Sequence, residues 1–210
     1  MAEAEMRPLA FEPESIDPQE DSSLFDMLPP EIRDRIYEFA LAPFEDPNPE
    51  KHFDEDTCFK RPDYSAPHKS DTALLRTCRR IYTEAWFYPW ATSQQVFYFT
   101  ADGRRPDGSA YGVQTVERMQ EALDKLYELH GDVELSGGIR IFAQLYALEN
   151  GMNLNRVLSM QHFHPQTLTV TIRHTDWWFW ENDEVMRIAS AWVSYSILFS
   201  ASLRTSSHML

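Results

Sequence analysis

The 210-residue chain reads as an α+β protein, a helix pair followed by mixed strands and helices. Three observations carry that reading. Apolar residues recur at helical spacing over residues 30–41 and again over residues 74–85. Residues 95–100 (QVFYFT) and 167–173 (TLTVTIR) are short runs of strand formers. A further helical stripe lies between those runs, at residues 113–130.

In chain order, residues 1–23 hold seven acidic residues, one arginine and three prolines. Such a segment has little apolar surface to bury and is expected to be a disordered acidic tail. The first helix opens at Pro29 and Pro30. Proline is tolerated at the first helical position because the N–H it lacks would be unpaired there anyway. Glu31 follows, its carboxylate near the positive end of the helix. Ile32, Ile36, Phe39 and Ala40 form one apolar face, and Arg33, Asp34, Arg35 and Glu38 the other. Leu24, Phe25 and Leu28 precede the prolines and are placed to fold back on the apolar face. A helix this short needs packing to be stable.

Residues 43–70 contain five prolines and the acidic run Asp54-Glu55-Asp56, with no apolar period. A long surface loop, partly disordered, is expected there. Ser70 or Asp71 then caps a helix whose stripe is Leu74, Leu75, Cys78, Ile81, Tyr82 and Ala85. Pro89 ends it near Tyr88. Residues 95–100 are expected to be a strand, and 102–112 a loop. The helix at 113–130 turns Val116, Met119, Leu123, Leu126 and Tyr127 inward, and Gly131 stops it. Residues 139–149 are expected to be helical, with a strand as the alternative. Residues 167–173 are the clearest strand, with Leu168, Val170 and Ile172 on one face.

Composition narrows the function. The chain has 19 Lys and Arg against 33 Asp and Glu, a net charge of −14. That balance excludes nonspecific nucleic-acid binding, which needs a basic footprint, and is equally poor for an anionic membrane surface. Two cysteines set no disulfide framework, which suits an intracellular setting, cytoplasm or nucleus. The start is neither a secretory signal nor a transit peptide. Residues 188–203 are uncharged but too short for a spanning helix, so a half-buried helix or strand, and no membrane partner, is expected there.

The stretch Leu28-Pro29-Pro30-Glu31-Ile32-Arg33-Asp34-Arg35-Ile36-Tyr37 resembles the opening of an F-box. With Leu74-Leu75-Arg76-Thr77-Cys78-Arg79-Arg80-Ile81-Tyr82-Thr83-Glu84-Ala85 downstream, the chain is similar to a fungal F-box-like family. The resemblance implies a non-enzymatic interaction module. Its partner-binding residues would be Leu28, Pro29, Ile32 and Ile36, packed on a Skp-family adaptor that leads to a cullin ubiquitin ligase. An unidentified protein substrate would meet the C-terminal region. The family signature includes Arg33 and Tyr37, which ordinary F-boxes do not require. Residues 171–183 (TIRHTDWWFWEND) also resemble text in those relatives, whose chains run further, so the resemblance implies an incomplete C-terminal half. The expected organisation is a tail at 1–23, an F-box-like domain at 24–100 with its loop at 43–70, and an α+β region at 101–210. An alternative is a structural domain of the same family without adaptor binding.

Other features point to less. Trp177, Trp178, Phe179 and Trp180 form a candidate aromatic recognition patch; in a strand, alternate rings would face opposite ways. A small-molecule-binding or enzymatic fold built on this cluster is the distant alternative. Cys78 reads as a small hydrophobe. Arg76, Arg79 and Arg80 read as a polar face that can pair with Glu84. His162 and His164 are the one close histidine pair, without the ligand spacing of a metal site. No phosphate-cradling glycine loop, nucleophile elbow or HExxH motif is present, and Asp176 beside His174 lacks a nucleophile. Neither catalysis nor a cofactor is therefore expected.

Overall fold

A computed structural model describes residues 9–149, 151–177 and 180–182. It contains both helices and strands, an α+β composition. The described chain forms two compact units, residues 9–52 with 65–93, and residues 53–64 with everything from 94 onward. The unit boundary therefore falls before the strand at 95–99, which the sequence had grouped with the first region at 24–100.

The first unit is mainly helical. A short helix α1 (Ser23–Asp26) leads into α2 (Pro30–Ala40), with Pro29 as its extended cap residue. Strand β1 (Phe44–Glu45) pairs antiparallel with β2 (His68–Lys69). Helix α3 (Arg79–Ala85) and the single turn α4 (Tyr88–Ala91, with Pro89 in its first turn) complete the unit. Tyr37 and Leu41 of α2 pack with Ile81 and Ala85 of α3, and Leu24, Phe25, Leu74 and Leu75 close around them.

Three expectations are corrected here. Residues 74–85 are not one helix. Leu74–Arg76 is a 3-10 turn, Cys78 adopts an extended conformation, and α3 starts only after it. The Cys78 sulfur accepts from the Ile81 amide, so this residue caps the helix while still packing, half-buried, against the Tyr37, Leu41, Ile81 and Ala85 core. The described part of the tail is held in place: the Leu9 amide donates to the Tyr82 hydroxyl at 2.9 Å, and Phe11 packs edge-on against the Tyr82 ring. Arg79 and Arg80 donate to the Ser15 and Pro18 carbonyls, which ties them to this segment. The 43–70 insert is ordered as well. The β1–β2 ladder closes its ends, and the Glu45 carboxylate accepts from the Ser65 amide and hydroxyl at 2.6 and 2.8 Å. Those hydrogen bonds, the amide first, hold the Glu45 carboxyl below its ordinary pKa.

The second unit is built on a parallel sheet. Strands β3 (Gln95–Phe99), β5 (Ile139–Ala143) and β7 (Leu168–Thr171) lie in that order. Helix α5 (Gly112–His130) connects the first pair and α6 (Met152–Leu158) the second, as parallel strands require a crossover. Between them β4 (Glu134–Leu135) pairs with β6 (His164–Pro165). Residues 139–143 are thus a strand and not the expected helix. All five are buried, because this central strand is covered on both faces, and such a strand shows no period that separates it from a helix. The strand at 168–171 is shorter than expected and leaves Ile172 beyond its end.

The two sheet faces differ. Phe97, Phe99, Ile139 and Ile141 lie on the face toward α5, where a methyl group on Gly112 would overlap the Phe99 ring. Tyr98 and Phe142 lie on the other face, stacked with ring centroids 5.3 Å apart. Residues 53–64 form a strap over this face, contributing Phe53, Phe59 and Tyr64. The Tyr64 and Tyr98 hydroxyls are hydrogen-bonded at 3.1 Å.

Candidate docking surface

Helix α2 is amphipathic in an unexpected sense. Its buried face is Arg33 and Tyr37, with Leu41 one turn on. Its apolar residues face water instead: Ile32 is 48% exposed, Ile36 38% and Phe39 80%. Met27, just before the prolines, is also exposed. Leu24 and Phe25 do fold back, but onto the Tyr37 face.

The inversion has a specific cause. The Arg33 guanidinium donates to both oxygens of Glu84 at 3.0 Å, and to the Leu28 carbonyl at 2.9 Å. The Tyr37 hydroxyl donates to Glu84 at 2.9 Å, and Arg80 adds a longer bond at 3.4 Å. A bidentate arginine–carboxylate pair is among the stronger polar contacts. Here it satisfies a buried charge and fixes the turn at Leu28 and Pro29. The Arg33 and Tyr37 positions of the first signature are thereby joined to Glu84 of the second. With those side chains turned inward, helical geometry puts Ile32, Ile36 and Phe39 on the opposite side.

Leu28 is half-buried and Pro29 exposed, while Ile32 and Ile36 lie on the exposed side of α2. Phe39, the most exposed member of the face, was not among the contact residues that the resemblance implied.

The second unit holds the remaining candidates. Trp177 and Trp180 are half-buried and meet the His174 ring at 4.7 and 5.5 Å between centroids. Trp178 and Phe179 lie outside the described residues, as does the uncharged segment 188–203. Asp176 does not form a dyad with His174. It is buried, paired with Arg104, and accepts from the Arg173 amide. His162 and His164 both contact one oxygen of Asp132, at 3.1 and 3.4 Å. Among the described residues no group of three His, Cys, Asp or Glu side chains is placed to hold a metal ion, and no helix is long and apolar enough to cross a membrane.

A cleft that the sequence did not signal lies beside β7. It has a volume of about 670 Å³, and Arg61, Asp63, Arg140 and Arg173 line it. Arg140 is 4% exposed and donates to both Asp63 oxygens and to Gln94. Arg61 and Arg173 converge on Cys58, the first donating to its carbonyl and the second to its sulfur. Arg61 and Arg140 both lie over the Phe142 ring, at 5.7 and 5.8 Å. These arginines are 33 to 112 residues apart in the chain, with no shared motif, so no local signal marks them. Comparison of the chain with models of known families, with curated proteins and with solved structures found no match.

Proposed function

We propose that the outer face of α2 docks a Skp-family adaptor, and that the chain acts as a non-enzymatic substrate receptor of a cullin ubiquitin ligase. One observation carries this reading. Ile32, Ile36 and Phe39 are exposed on a helix whose internal packing is already complete through Arg33, Tyr37 and Leu41. Apolar side chains aligned over two helical turns are the anchors a helix-recognising partner uses. The Leu-Pro turn beside them matches the resemblance to F-box proteins. In this reading the cell compartment is the cytoplasm or nucleus, and a protein substrate meets the second unit, with the aromatic region around Trp177 as its contact.

A binding assay with a purified fungal Skp-family adaptor tests the proposal. Wild-type chain is expected to retain the adaptor, and Ile32→Asp/Ile36→Asp to lose it while unfolding at the same temperature. Failure of the wild-type chain to bind adaptor or cullin would leave the face to a structural family domain and sink the ligase reading.

A further inference from the structure

We propose that the cleft beside β7 binds a phosphate monoester carried on a compact apolar body. This inference is independent of the α2 face, since all its residues belong to the second unit.

Charge comes first. Arg61, Arg140 and Arg173 line the cleft with a single lining carboxylate, Asp63, which is taken by Arg140. Lys60 at the rim is matched by Glu55. Asp176, the next nearest acid, is paired with Arg104. Two guanidiniums are thus left with only carbonyl, sulfur and ring contacts among the described residues. Among the described residues Asp176 also acts on Arg61, but Arg104 already pairs its carboxylate. Two unmatched positive charges suit a group carrying about −1.5 to −2 at neutral pH, which is the charge of a phosphate monoester.

The geometry agrees. Arg61 is half-buried, and its contacts with Cys58 and Lys60 are main-chain carbonyls that orient the guanidinium without neutralising it. Burial, then the neighbouring Arg173 and Arg140 charges, lower its pKa from the ordinary value. An anion in the cleft offsets these effects by pairing with the guanidinium. Guanidinium forks recognise phosphate oxygens in pairs. The Thr169 and Thr171 side chains share the sheet face of Arg140 and supply hydroxyls with no hydrogen-bond partner among the described residues. Pro62 adds apolar wall beside the phosphate, and Ile172, beyond the end of β7, lines the same cleft. The cleft volume is within the range of small-molecule sites, roughly 300–1,000 Å³.

Calorimetric titration of the full chain with phenyl phosphate at low ionic strength is the test, with inorganic phosphate, a phosphotyrosine peptide and chloride as parallel arms. Saturable one-to-one binding of phenyl phosphate, at least tenfold weaker in Arg61→Gln and largely retained in Arg61→Lys, is the expected result. Phenyl phosphate is expected to bind more tightly than inorganic phosphate. Equal affinity would overturn the apolar-body half of the proposal. Binding by the phosphotyrosine peptide, with or without phenyl phosphate, supports the site and shows that the phosphate can be protein-borne. No saturable binding in any phosphate arm would overturn the site. So would binding untouched by Arg61→Gln, or matched by chloride, which would mark an adventitious ion only. Thermal melts supply the second readout: without phosphate, Arg61→Gln is expected to be at least as stable as wild type, because like-charge repulsion is relieved. A large loss of stability in both Arg61→Gln and Arg173→Gln would make the arginines structural struts and overturn the proposal.

Discussion

Glu84 is the residue on which the first unit turns. Burial alone would raise its pKa, but the Arg33 guanidinium, the Tyr37 hydroxyl and Arg80 together bring it below the ordinary carboxylate value. A lowered folded pKa contributes stability above the unfolded value of about 4.3, and that contribution is lost as pH falls through the folded value. Thermal melts are therefore expected to show the first unit weakening below roughly pH 4. Glu84→Ala strands the Arg33 charge, whose side chain is 8% exposed. Its expected cost is about 3 kcal/mol by denaturant titration, the low end for a broken buried pair because Glu84 itself is partly exposed. Arg33→Met added to Glu84→Ala should recover part of that loss, since the unpaired charge goes with it. Tyr98 and Tyr64 behave in the opposite sense with pH. Burial, first of all, pushes both hydroxyls above the ordinary phenol range. Stability from a raised pKa is complete below the unfolded value near about 10 and fades as pH rises through the folded one. An absorbance titration should find Tyr64 and Tyr98 among the late-ionising tyrosines, with Tyr37, Tyr88 and Tyr111, their release accompanying alkaline unfolding. Tyr64→Phe leaves the Tyr98 hydroxyl without its partner, at an expected cost of about 1–2 kcal/mol.

At the scale of elements, legibility followed burial on one face or on two. Helix α5 has one wet side and one dry side, and its period and its stop at Gly131 were readable. Strand β3 was readable from composition. Strand β5 was not, because covering on both faces removes the alternation that identifies a strand. The strap at 53–64 has no period to read; it is held by single rings, each meeting a different partner in the sheet. Helix α2 was placed correctly along the chain, yet its faces were exchanged. Residue type predicts burial only until a charged side chain finds a bidentate partner 51 residues away. Leu28, Pro29, Ile32 and Ile36 were named through the resemblance, since apolar spacing alone does not tell an outer helix face from an inner one. The arginine cleft was not legible, since its members converge only in three dimensions. The packing of α5 on β3 offers a direct check. Gly112→Ala would drive a methyl into the Phe99 ring. Overpacking of this kind costs typically about 1–3 kcal/mol, against the gain of a few tenths that a glycine-to-alanine change gives an open helix position. A lowered denaturation midpoint with unchanged slope is the expected outcome.

At the scale of the whole molecule, sequence order and structural units do not coincide. The chain leaves the first unit at residue 52, enters the second for twelve residues, returns at 65, and leaves again at 93. A cut at 93 therefore does not separate two intact modules. A fragment of residues 94–210 lacks Phe53, Phe59 and Tyr64, and leaves Tyr98 and Phe142 uncovered. Each lost aromatic is worth roughly 1.5–3 kcal/mol of burial. Three such losses predict a fall of at least about 10 °C in the fragment's melting midpoint. Binding of an apolar-surface dye, stronger in the fragment than in the full chain, would report the bared face. A synthetic peptide of residues 53–64 should reduce that signal.

The strap also fixes an order of events on the ribosome. Tyr64 must wait for Tyr98, Asp63 for Arg140, and Cys58 for Arg173, gaps of 34, 77 and 115 residues. At the usual pace of about 5–20 residues per second, the longest of these gaps lasts on the order of ten seconds. Until residue 142 is made, the Phe53, Phe59 and Tyr64 rings of the nascent chain lack the complete sheet face they cover. Chaperones that bind emerging apolar segments should find a long-lived target here, and synonymous codons that slow elongation between residues 65 and 140 should lower the yield of folded protein.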